Sequence, residues 1–270
     1  MTDTVTIQKP PFTIHFRPGT ADEEVLKESF EKDIFFPGIP EYKILPGHII
    51  IDIGAHIGCF SLLAADKVPQ GKVYSFEPAA ETYAVLEQNI RSNNLSNTKA
   101  FRVAMAAENG KTLLYHDLAT GNWGHSITKK LSGETEEVNC ITLENLFISE
   151  KIEQADLIKF NCEGAEFSIL LYTPATVLRR IRCMLVLYHG FLEETISTKQ
   201  VANHLTKAGF HIHYRYKNKA DNSGWMIAYR AGFFENLLIN YRTLPLRTAL
   251  LIKEMKRKFK RAKQIIFYKG

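Results

Sequence analysis

The chain has 270 residues, 45% of them hydrophobic and 23% charged, proportions that exclude a mainly disordered or collagen-like chain. That length accommodates one large α/β domain, or one domain with a short appendage. The formal charge of +5 is unevenly placed: from Arg242 to Gly270 ten basic residues stand against one acid, Glu254, a net +9, so residues 1–241 carry −4.

In chain order, Phe12–Phe16 alternates like a strand and closes at Pro18-Gly19. Thr20 is placed as the N-cap of a helix, with Glu23 at the capping-box position and Val25, Leu26 and Phe30 on one face. HIIIDIG (48–54) is a run of branched apolar residues ending in Gly, the pattern of a buried parallel strand. Helical spacing follows over 56–68, a second strand over 72–78, a helix over 79–94 and a third strand over 98–105. Past a polar, Gly-rich stretch (118–134), residues 137–147 read as strand then short helix. ADLIKFNCEG (155–164) is another buried strand, AEFSILLY (165–172) a helix and IRCMLVLYHG (181–190) the next strand. A helix capped near Ser197 runs to Gly209, and 210–216 with 225–230 read as a hairpin. This alternation calls for a doubly wound, mostly parallel sheet with ligands at the carboxyl ends of the strands. The organisation is an N-terminal extension (1–47), a central ligand-binding domain (48–230) and a tail (231–270).

The first strand–turn–helix carries Asp52-Ile53-Gly54-Ala55-His56-Ile57-Gly58. Gly54 can take a turn conformation closed to other residues, and Gly58 lets the opening helix pack close to the sheet. Ala55 leaves room for a ligand against the backbone. Glu77 ends the second strand, 19 residues beyond Gly58, where an acid accepts both hydroxyls of a ribose. A dinucleotide fold wants three glycines and no negative charge near the diphosphate. Here there are two, preceded by the carboxylate of Asp52, which suits an α-ammonium or a sulfonium. The balance favours S-adenosylmethionine over NAD. A nicotinamide-dependent oxidoreductase and a non-catalytic adapter of the same fold are the alternatives. Further polar residues lie at the end of the 155–164 strand, in Lys159-Phe160-Asn161-Cys162-Glu163-Gly164-Ala165-Glu166. They read either as a helix cap with solvated acids or as part of the same site.

Taken together, IIIDIGAHIGCFSLLAA, VYSFEP, NIRSNN and LIKFNCEGAEFSIL resemble the successive signatures of FkbM-type S-adenosylmethionine-dependent methyltransferases, over roughly 48–190. The resemblance implies a Rossmann-like seven-stranded sheet with one antiparallel strand near an edge. It also implies methyl transfer, usually to a hydroxyl of a sugar, polyketide or other secondary metabolite. By position, Asp52, Gly54, Ala55 and Gly58 would line the methionine end of the cofactor, Glu77 would hold its ribose, and Val103 and Ala104 would flank adenine. Glu163 and Glu166 match the family's paired acids. The chain departs from the family's pattern at Asn161, where Asp is common, and at Ala107, which cannot reach the adenine amino group.

Methylation of a hydroxyl needs a proton acceptor. His189, at the end of the 181–190 strand, is the first candidate, with Glu163 as competitor and His125, in GNWGHS, as an overhanging alternative. Asn161 is assigned to the cofactor side. No metal site is expected, because Cys59, Cys140, Cys162 and Cys183 lie far apart without a C-x-x-C pair. Free thiols, an N-terminus without a signal-peptide pattern and the absence of an ~18-residue apolar run lead to an expectation of a cytoplasmic protein. In the tail, Leu251, Met255, Phe259, Ala262 and Ile266 recur at helical spacing among Lys and Arg. That is a basic amphipathic helix suited to an anionic membrane at the inner surface or to the domain itself, and less to nucleic acid.

Overall fold

The computed structural model describes residues 3–32, 34–36, 41–116, 125–128, 134–189, 196–218, 223–232, 235–236 and 238–242. Residues 1–230 form one compact unit and 231–270 another. Of the second unit, residues 235–236 and 238–242 are helical; the basic segment from 243 onward, with its expected amphipathic helix, lies outside the described residues. Among the described residues no helix is long and apolar enough to cross a membrane.

The first unit opens with β1 (Val5–Lys9) paired antiparallel to β2 (Phe12–Phe16), then α1 (Asp22–Phe30). The alternating units follow as β3 (Ile49–Ile53), α2 (Cys59–Lys67), β4 (Lys72–Phe76), α3 (Ala80–Ser92) and β5 (Thr98–Phe101). Next come β6 (Ala104–Met105), β7 (Gly110–Tyr115), β8 (Thr135–Ile141) and α4 (Leu143–Ser149). The chain continues through β9 (Ala155–Phe160), α5 (Ala165–Tyr172), α6 (Ala175–Leu178), β10 (Ile181–His189), α7 (Thr198–Lys207), β11 (His211–Asn218) and β12 (Ser223–Tyr229). Seven strands make the main sheet in the order β11-β12-β10-β9-β3-β4-β5. Strands β3, β4, β5, β9 and β10 are parallel, and β12 is antiparallel to both its neighbours. This is the Rossmann-like architecture expected from the strand–helix alternation. β9 is buried along its whole length, which explains its nearly unbroken apolar sequence.

Three local features differ from the sequence reading. Helix α2 starts at Cys59 and not at 56, because Gly54, His56 and Gly58 all take positive φ (73°, 53° and 91°) and form a turn. The expected strand over 98–105 is broken after Phe101; Ala104 and Met105 pair instead with Cys140 and Ile141 in a separate sheet, β6-β8-β7. The α1 cap is shifted, with Ala21 as N-cap, Thr20 Oγ1 accepting from Asp22 N–H and Glu23 Oε1 from Gly19 N–H. Strand β1 escaped the sequence reading because most of its residues are exposed, so it has no apolar face to register.

The extension packs onto the central domain. Phe12, Ile14 and Leu26 share a buried cluster with Ile57, Cys59, Leu62 and Val85. Arg17, 1% exposed, makes a bidentate pair with fully buried Asp22, and its remaining nitrogen donates to Thr82 Oγ1 of α3 at 3.1 Å. Burial opposes ionisation of Asp22, but hydrogen bonds and charge from Arg17, with a contribution from His56, outweigh it and hold the carboxyl below its ordinary value.

Candidate active site

The carboxyl ends of β3, β4, β9 and β10 open into one cleft of about 1150 Å³, its mouth included. Such a position, where parallel strands end, is where open α/β sheets bind ligands. The glycine turn forms its floor. Gly54 and Ala55 donate from backbone N–H to Phe76 O at 3.0 and 2.9 Å. A Cβ on Gly54 would stand 1.8 Å from the carbonyl oxygen of Asn161, so only glycine allows the β3 turn and the end of β9 to approach this closely.

Glu77 follows β4 and is 6% exposed. Its Oε2 accepts from His56 N–H at 3.0 Å and its Oε1 from Ala79 N–H at 3.1 Å. Burial pushes its carboxyl up to about 7, although those two backbone donors pull the other way. Each carboxylate oxygen can accept a second hydrogen bond, which leaves capacity for two ribose hydroxyls. On the other side of the cleft, His189 ends β10 and is 7% exposed. Its ring lies between two acids: Nδ1 is 3.2 Å from Glu166 Oε1, and Nε2 is 3.4 Å from Glu163 Oε1. Glu166 Oε1 also accepts the His189 backbone N–H at 3.1 Å, and Oε2 accepts from Gly164 N–H at 2.8 Å. The Glu163-Gly164 turn has positive φ at both residues, 51° and 99°. Segment 125–128 braces it, with Ser126 Oγ donating to Glu163 O at 2.8 Å.

Of the residues singled out from sequence, Gly54, Ala55, Glu77, Ala104, His125, Asn161, Glu163 and His189 all line the cleft. Three do not. Asp52 is fully buried behind the turn, where Oδ1 accepts from Lys159 Nζ at 2.9 Å and Oδ2 from Ser61 Oγ at 2.7 Å. Its charge is met by Lys159, so the expectation that it draws a sulfonium through an open carboxylate is corrected. Gly58 caps α2, and a Cβ there would come within 2.6 Å of Leu86 Cδ1. It makes room for α3, not for a ligand or the sheet. Val103 packs, partly buried, against the main core, and the next residue, Ala104, takes the cleft position.

Lys159 has no role assigned from its sequence pattern. It is 3% exposed, lines the cleft and also donates to Gly54 O at 2.7 Å. A lysine inside an otherwise apolar buried strand requires an acidic partner, and Asp52 lies opposite it in the β3–β9 register. The aromatic wall was not foreseen either. Phe35 packs edge-on against Phe60 and Trp225, at ring-centroid distances of 5.1 and 6.0 Å.

These residues fit S-adenosylmethionine. Ala104, Met105, Leu114 and Ile127 give an apolar slot beside Glu77, and Asn161 Oδ1 is a buried acceptor with no hydrogen-bond partner among the described residues. Mutating Glu77 to Gln is expected to weaken S-adenosylhomocysteine binding about 10- to 100-fold, the worth of charge-assisted bonds to ribose hydroxyls. The pH dependence follows from the raised value of Glu77. The ionised form is the double acceptor, so wild-type affinity should rise with pH up to about 7 and then level off. Calorimetry across pH 5.5–8.5, roughly bracketing that value, should show this slope in the wild type and lose it in Glu77→Gln.

The family model "Methyltransferase FkbM domain" matches residues 52–212. Methyltransferase 1 of Beauveria bassiana (strain ARSEF 2860) is 29% identical over 181 residues, 59% of this chain and 71% of that protein. Methyltransferase sdnD of Sordaria araneosa is 28% identical over 170 residues, 52% of this chain and 66% of its own length. Among solved structures, a SAM-dependent methyltransferase from Aquifex aeolicus overlaps 77% of this chain and 96% of its own, at 12% identity and a TM-score of 0.42. The family match settles the choice of cofactor that the glycine turn left open, in favour of S-adenosylmethionine. With its glycine turn and the polar crown of β9 inside the matched segment, which covers more than half of its length, the chain belongs to the FkbM methyltransferases.

Proposed function

We propose that the enzyme methylates a hydroxyl group on a saccharide, glycolipid or secondary metabolite, with His189 as general base. The observation that carries this reading is that His189 and Glu163 line the cleft together, with buried Glu166 against the His189 ring. When bound, S-adenosylmethionine supplies an activated methyl group, so the protein must align the acceptor and remove its proton. Glu166, 1% exposed, accepts from Nδ1 and fixes the ring, leaving Nε2 toward the acceptor. With the cofactor bound, Nε2 would take the proton of the acceptor hydroxyl as its oxygen received the methyl group, the methyl–sulfur bond breaking with its electron pair left on the S-adenosylhomocysteine sulfur. Glu163 stands 3.4 Å from that nitrogen and stabilises the imidazolium as it forms, the logic of an oriented base in other transferases and hydrolases.

The test is direct. The enzyme is incubated with 13C-methyl-labelled S-adenosylmethionine and a panel of sugars, glycolipids and hydroxylated natural products, and the labelled product is read by NMR. An O-methyl resonance is expected. A methyl group found on nitrogen, carbon or sulfur would overturn the hydroxyl assignment.

A further inference from the structure

Lys159 and Asn161 are two residues apart at the end of β9, so their side chains share one face of the sheet, and both line the cleft. An ammonium has three N–H groups. Two of those on Lys159 are directed to Asp52 Oδ1 and Gly54 O, at 2.9 and 2.7 Å, which leaves one. Beside it, Asn161 Oδ1 is buried and lacks a hydrogen-bond partner among the described residues, a costly state for an acceptor unless a ligand completes it. A donor and an acceptor set side by side match a zwitterion.

The sheet order says which part of the cofactor reaches them. Glu77, at the end of β4, takes the ribose, and β4 is followed in the sheet by β3 and then β9. The amino-acid arm therefore crosses the glycine turn toward β9. We propose that Lys159 and Asn161 hold the α-amino-acid end of S-adenosylmethionine, Lys159 donating to the carboxylate and Asn161 Oδ1 accepting from the α-ammonium. Asp52 is a positioning residue in this scheme. It fixes the ammonium and cancels its charge, so the clamp reads a zwitterion and not a net anion. Asn in place of Asp at 161 keeps the acceptor without adding a second negative charge beside Asp52. This inference rests on S-adenosylmethionine as the cofactor and is independent of the identity of the base.

The experiment is calorimetric titration of S-adenosylhomocysteine and of its decarboxylated analogue, which keeps the amine. Both are titrated into the wild type and into the charge-neutral double variant Asp52→Asn/Lys159→Met. The wild type should prefer S-adenosylhomocysteine by about 10- to 100-fold, the worth of one hydrogen bond between charged groups. In the double variant S-adenosylhomocysteine should weaken to the level of the analogue, whose own affinity stays put. Asn161→Leu should weaken both ligands alike, since both carry the amine. No preference in the wild type, or its persistence in a double variant with a native circular dichroism spectrum, would overturn the proposal. Failure of S-adenosylhomocysteine to bind the wild type at all would instead sink the cofactor assignment on which it stands.

Discussion

Replacing His189 with Asn is expected to lower kcat about 10²- to 10⁴-fold while S-adenosylhomocysteine affinity stays within about threefold of wild type. Asn is the informative replacement because its amide nitrogen stands where Nδ1 stood and can still donate to Glu166 Oε1, 3.2 Å from Nδ1 in the wild type. The backbone bond from His189 N–H to the same oxygen, at 3.1 Å, is untouched. What disappears is Nε2, the atom that receives the proton. At saturating S-adenosylmethionine, where the titration of Glu77 no longer limits binding, the acid limb of kcat should also disappear with the base. Glu163→Gln separates the two candidate bases. If Glu163 only stabilises the imidazolium, the loss should be smaller than for His189→Asn. A larger loss in Glu163→Gln, with His189→Asn nearly active, would transfer the role of base to Glu163.

Lys159→Met is expected to destabilise the fold by about 3–5 kcal/mol, because Asp52 would be left charged and fully buried without its partner. In a unit of this size that lowers the melting temperature by roughly 6–20 °C. Adding Asp52→Asn should restore most of the loss, since neutralising both members of a buried pair removes the uncompensated charge. The introduced amide can still accept from Ser61 Oγ, which lies 2.7 Å from Asp52 Oδ2 and also 2.7 Å from Ser75 Oγ. Thermal melts of the wild type, the single variants and the double variant complete the cycle. Additive losses in the double variant would mean that the pair does not act as a pair.

The same pair shows where sequence stops speaking. Asp52 was legible as a carboxylate next to a glycine turn, but it was assigned to a cationic ligand, whereas the structure pairs it with Lys159. Which cation it meets depends on a register between strands 107 residues apart in sequence, and nothing local to IIIDIG records that register. Lys159 offered a usable signal, since a lysine within an apolar strand needs an acid nearby. Glu77 and His189 were legible for a simpler reason. Each closes a strand that periodicity identifies, and in a parallel sheet the strand ends converge. Val103 failed by one position because a strand read as continuous is broken at residue 102, and Ala104 belongs to another sheet. Phe35 and Trp225 reach the cleft from segments far from any motif, and their meeting is a product of packing alone.

The Asn89 side chain of α3 accepts from His15 N–H at 2.7 Å and donates to His15 O at 3.0 Å and to Ile57 O at 2.8 Å. It thereby stitches β2, α3 and the glycine turn together at one amide. A fragment starting at residue 52, where the family match begins, would lose the two of those three hydrogen bonds that involve His15 and bare Ile57 and Leu62 to water. The stretch by which the protein is recognised is therefore shorter than the stretch that shapes its cofactor turn, and the difference is supplied by residues that no signature contains.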